Sequence, residues 1–176
     1  MRISCLGLLS LTLLNPCYVG ADEIRDANKL LRASNVANQF ETRTQQQTRK
    51  IIRTYSSIVA MSADVELPQW IKLEIANCYE QTFAWENFEE GIAQILHENF
   101  SAEEMKLLTD FYRSEGLPPS EIANFKAAIA KGSIIQELSA QYIYAHTDGC
   151  AEHDIDLIIG FLDDPQRESN ATLAAE

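Results

Sequence analysis

No stretch of this chain keeps a period-two alternation for long, and no Asn-Gly pair joins two apolar runs, so strands and hairpins have no foothold. The 7 glycines are scattered, which excludes a glycine-rich phosphate loop, and no internal repeat recurs. No serine or cysteine sits in a nucleophile motif. Cations are few: Lys and Arg number 14 against 26 Asp and Glu, for a net charge of −12. That balance disfavours unaided binding to nucleic acid or to anionic lipid headgroups. No apolar run reaches the ~20 residues that a membrane-crossing helix needs.

What is present is a chain of 176 residues, 46% of them hydrophobic, enough for one domain with a real core. Its first 21 residues read as an export signal. Arg2 supplies the positive end, Ile3 to Leu14 the apolar segment, and Val19-Gly20-Ala21 the small residues before a cut after Ala21. Cys17 raises a lipoprotein alternative, but Leu14-Asn15-Pro16 stands where a lipid-attachment signal wants small residues. Cys5 and Cys17 leave with the signal. Cys78 and Cys150 then remain as a pair in an oxidising compartment, where a disulfide is expected.

The helical domain is expected over residues 22–162, as an all-α bundle of about six helices. The first runs from Asp22 to Phe40. Ile51, Ile52, Tyr55, Ile58 and Val59 face the second, which ends near Ala63; the polar Glu41–Lys50 stretch suits a connection or its solvated first part. Pro68 is expected in the first turn of a third helix carrying Ile71, Ile75, Cys78 and Thr82. After a break at Thr82–Glu86, Phe88, Ile92, Ile95 and Leu96 lead to Asn99. Beyond the central helix, Ile122, Phe125, Ile129, Leu138 and Tyr142 trace one long stripe to Ala145, with Gly132 its weak point. His146–Gly149 makes a turn, and Ile155, Ile158, Phe161 and Leu162 make a last short helix. Residues 163–176 have the composition of a loose tail.

The helix at Phe100–Gly116, FSAEEMKLLTDFYRSEG, organises the rest. Ser101 and Glu104 have capping-box spacing, and Gly116 suits a helix stop. Met105, Leu108, Phe111 and Tyr112 are expected to form its buried face. With the export signal and the helices before it, this string resembles the bacterial secreted family catalogued as domain of unknown function twenty-fifty-nine. The residues that carry the resemblance are Phe100, Ser101, Glu103, Glu104, Met105, Leu108, Phe111, Tyr112, Ser114 and Gly116. It implies a helical periplasmic protein of a Gram-negative bacterium, and it brings no catalytic residues.

Chemical candidates are few. His146, Cys150 and His153 are four and three residues apart and would converge on zinc if helical, although Gly149 and a disulfide both oppose it. A solvated acidic turn is the blander reading of His146–Asp156. Asp154 and Asp156 run into Leu157-Ile158-Ile159, which excludes a calcium loop. Glu103 with Glu104, and Glu89 with Glu90, suit helix N-termini better than acid–base work. His97 is a candidate base without a partner motif. Trp70, Phe83 and Trp85 are the candidate surface for a partner or apolar ligand. The expectation is therefore an exported, non-enzymatic binding protein with no cofactor. The alternative is a metal-dependent or hydrolytic enzyme using His97 or the His146–Asp156 turn.

Overall fold

The computed structural model describes residues 21–164, with side chains from residue 24 onward. They form eight α-helices: α1 (Ala21–Ala33), α2 (Val36–Ala63), α3 (Gln69–Thr82), α4 (Glu89–Asn99), α5 (Ala102–Tyr112), α6 (Ile122–Ala130), α7 (Gly132–Ala145) and α8 (Cys150–Asp163). The chain is all-α, and no strand occurs among the described residues. Residues 1–20 of the expected signal, and the tail from residue 165, lie outside the described residues.

The eight helices exceed the six expected, and two breaks fall where none was expected: the one at Asn35 moves the end of the first helix, and the one at Lys131 adds a helix. Asn35 takes a left-handed conformation (φ 53°), which ends α1 seven residues before Phe40 and starts α2 at once. The polar Glu41–Lys50 stretch is then wholly helical inside α2, which stops at a second left-handed residue, Asp64 (φ 55°). Lys131 divides the long stripe into α6 and α7, its N–H bonding the Ala128 carbonyl three residues back. Pro68 stands one residue before α3, as its N-cap.

The helices pack around two apolar clusters. In the first, Leu30 and Leu31 of α1 meet Ile92 and Leu96 of α4, Met105 and Leu108 of α5, and Phe88. The second joins Val59 of α2, Ile71 and Ile75 of α3 and Phe161 of α8. At 28 residues and 1.5 Å per residue, α2 is about 42 Å long and reaches both. Phe40 near its start packs against the first cluster, and Val59 near its end is buried in the second.

The capping box of α5 forms as expected. The Ser101 Oγ accepts from Glu104 N–H at 3.2 Å, and Glu104 Oε2 accepts from Ser101 N–H at 2.8 Å. The buried face differs from expectation: it is Met105, Leu108 and Thr109, whereas Phe111 and Tyr112 are 45% and 48% exposed. Phe111 stands six residues from Met105, about 120° off its face. Tyr112 is in phase but is the last residue of α5, where the chain runs exposed from 111 to 116. The two rings meet each other instead, and Phe111 also packs on Phe125, with centroids 4.7 Å apart.

Candidate functional site

Between the two clusters α2 and α3 leave an open cleft of about 520 Å³. The composition of α2 explains it. In the first half of this helix Glu41, Thr44, Gln45, Thr48 and Arg49 replace the apolar residues that would close it against α3. Thr48 is buried and its hydroxyl donates to the Thr44 carbonyl at 2.9 Å, so it asks nothing of the facing helix. Ile52, Ala76, Phe83 and Ala84 supply the apolar part of the lining, and Glu41, Glu80 and Glu86 set three carboxyls against Arg49.

The three aromatic candidates fall in three different places. Phe83 lines the cleft, stacked on Tyr79 with centroids 6.0 Å apart and planes 16° apart. Trp85 does not: it lies in a 3-10 turn (Trp85–Asn87), only 7% exposed, and packs on Phe40 at 5.7 Å. It is turned into the first core because this turn reverses the chain, with the Asn87 side chain donating to the Gln81 and Thr82 carbonyls. Trp70 is exposed on α3 and borders a separate groove of about 220 Å³ with Leu157 and Phe161 of α8.

Cys78 and Cys150 are joined by a disulfide, Cα to Cα 5.8 Å, which fixes the first turn of α8 to α3. The Thr82 hydroxyl donates to Cys150 Sγ at 3.3 Å. Cys150 belongs to the helix itself, and not to the turn before it, so α8 buries Cys150, Asp154 and Phe161 on one face and leaves Ile155 exposed. Asp154 corrects the reading of this segment as a solvated acidic turn. It is 0% exposed, and neither carboxyl oxygen has a complete hydrogen bond. Burial raises its pKa above the ordinary carboxylate value, while the hydroxyls of Tyr79 and Tyr55 and the ring of His153 pull the other way. Burial first, and then the Asp154 charge, push both tyrosines above the usual phenol range.

The chain matches no family model, no curated protein and no solved structure. Its chemistry rests on the side chains themselves. The disulfide takes the Cys150 thiolate from the candidate zinc set, and His146 Nδ1 lies 2.7 Å from the Tyr142 carbonyl at the end of α7. His153 Nδ1 is 4.0 Å from Asp154 Oδ1. Among the described residues, no three His, Cys, Asp or Glu side chains gather where they would hold a metal ion. His97 is half-buried in the last turn of α4. Also among the described residues, no helix is long and apolar enough to cross a membrane.

The cleft and Asp154 were both missed in the reading of the sequence. A tract of ten residues without one aliphatic side chain, inside a helix long enough to touch two cores, is the signal for the first. For the second it is the spacing of Cys150, Asp154, Leu157 and Phe161, which puts an acid on the stripe that a disulfide and a phenylalanine define.

Proposed function

We propose that this chain is an exported, non-enzymatic binding protein of the bacterial cell envelope, and that it receives its partner in the cleft between α2 and α3. The cleft carries the reading. It lies where two cores meet, and it combines an apolar lining of Ile52, Ala76 and Phe83 with polar groups that orient a ligand. An apolar ligand, or an apolar side chain of a protein partner, would cover Phe83. Basic groups around it would meet Glu41, Glu80 and Glu86. The disulfide and the apolar N-terminal segment support an oxidising, exported location. The resemblance of Phe100–Gly116 to domain of unknown function twenty-fifty-nine supports the periplasm of a Gram-negative bacterium.

Site-specific photocrosslinking in the native envelope tests this reading. A photoreactive residue at Gln45, which is exposed and lines the cleft, should give a discrete adduct. The same group at Ala127, exposed on α6, should not. Phe83→Ala should abolish the Gln45 adduct. Equal labelling from Gln45 and Ala127, or an adduct indifferent to Phe83, would rule the cleft out as the binding surface.

A further inference from the structure

Asp154 is a buried acid that the cleft does not use. It sits one turn after Cys150 on the inner face of α8, and the disulfide ties that turn to Cys78 of α3. The residue after Cys78 is Tyr79, which faces the carboxyl from α3, while Tyr55 faces it from α2. His153 is the titratable neighbour on α8 itself, at 4.0 Å and largely exposed. No cation is among these groups unless His153 is protonated. With neither oxygen fully hydrogen-bonded, the site suits a neutral carboxylic acid and opposes a carboxylate.

The covalent bond therefore holds in place a helix whose buried acid works against staying there. We propose that α8 is a latch released by reduction and rising pH: the Cys78–Cys150 disulfide holds it shut, and once that bond is reduced, ionisation of Asp154 frees the helix. Freeing it uncovers the faces that carry Ile71 and Ile75 on α3 and Leu157 and Phe161 on α8. The reductant is a dithiol. It delivers two electrons and two protons, the S–S bond breaks to give two thiols, and the dithiol closes to its own disulfide.

The direction of the pH response follows from the burial of the acid. Below about pH 4 the carboxyl is protonated whether α8 is docked or free, and docking is unaffected. As pH rises further, the free helix gives up the proton and the docked one does not. Docking then weakens by up to about tenfold per pH unit until the docked acid also ionises. Protonated His153 favours the carboxylate in place, so it blunts the response and does not create it. Tyr55 and Tyr79 stay neutral throughout this range.

Hydrogen exchange of the full chain, read by mass spectrometry with intrinsic rates divided out, tests the latch. Oxidised protein should protect α8 equally at about pH 4.5 and about pH 7.5. Protein reduced with dithiothreitol should keep that protection at the lower pH and lose at least about tenfold at the higher, with α4 and α5 unchanged. Reduced Asp154→Asn should protect α8 at both, and reduced His153→Gln should lose protection at the higher pH at least as much as the wild type. The proposal is overturned if reduced wild type protects α8 equally at both pH values or at neither. It is also overturned if Asp154→Asn shows the wild-type loss or His153→Gln abolishes it. The wild-type pair decides even if Asp154→Asn fails to fold.

Discussion

Lys131 Nζ lies 2.7 Å from Glu104 Oε2 and 3.0 Å from the Asn99 carbonyl oxygen, with the Phe100 ring beneath it at 5.5 Å. One side chain at the α6–α7 break thus closes both the end of α4 and the start of α5. The same Glu104 oxygen accepts the Ser101 N–H, so the capping box and the ion pair share an atom. This tie joins the organising helix to the second half of the chain.

Lys131→Met should remove it at a cost of about 0.5–1 kcal/mol, since both partners keep some solvent contact. The Lys131 ammonium, aided by the Ser101 N–H, holds the Glu104 carboxyl below its ordinary 4.5. Its stabilisation is therefore complete above that value and disappears as pH falls through the depressed one. Urea titrations across the acid range should show the wild type and Lys131→Met converging at low pH. A gap that persists there would assign the effect to packing on Phe100.

The buried face of α5 predicts unequal losses along one helix. Met105 is 1% exposed, and Met105→Ala should cost about 2–5 kcal/mol. Phe111→Ala removes a half-exposed ring whose main contact is Phe125, so its cost should be nearer 0.5–1.5 kcal/mol. Denaturant midpoints of the two variants measure the difference. Equal losses would mean that Phe111 is as much a core residue as Met105.

The α5 start was legible because capping is local: Ser101 and Glu104 act within a few residues of themselves. The stop expected at Gly116 comes earlier, because α5 ends at Tyr112 and Ser114 takes the left-handed conformation (φ 61°) that closes it, with the Glu115 N–H donating to the Asp110 carbonyl. Which face is buried is not local, and apolar identity alone put Phe111 inside. The Asn35 break was unreadable for a similar reason. Asn tolerates both right- and left-handed backbone, and the apolar spacing runs on past it. The pairing of Cys78 with Cys150 was readable by elimination, once export removed the other two cysteines. Trp85 and Asp154 were misplaced because composition says what a segment contains and not which side its neighbours cover. A tryptophan beside polar residues and an aspartate among acids both look solvated until α2, α3 and α8 are assembled.

Gly91 makes a different claim on sequence. The Tyr142 ring lies against its bare Cα, so a methyl there would collide with Tyr142 Cζ, Oη and Cε1 together. That ring has neighbours on other sides as well: Phe88 at 6.5 Å in an edge contact and His146 at 4.1 Å. Gly91→Ala should cost about 1–3 kcal/mol by overpacking, although alanine is the better helix former. In a Tyr142→Ala background the same substitution should become neutral or stabilising. Thermal melts of the four proteins in this cycle would show additivity if the two residues did not meet.

The disulfide supplies the last prediction. Cys78 and Cys150 are 72 positions apart, so the bond restricts most of the unfolded chain from α3 to α8. In the loop-entropy account a closure of that length contributes about 4 kcal/mol. Replacing both cysteines with serine should lower stability by about that much, and Thr82, which donates to Cys150 Sγ, should regain a partner in the new hydroxyl. Because α8 packs mainly on α3 and the far end of α2, the loss should appear first as exchange of the 150–163 amides, ahead of those in α4 and α5. Thiol labelling of the unfolded, unreduced protein from an oxidising compartment should find neither mature cysteine free. Two labelled thiols per chain would remove the bond, and with it the reason for α8 to stay docked on a buried acid.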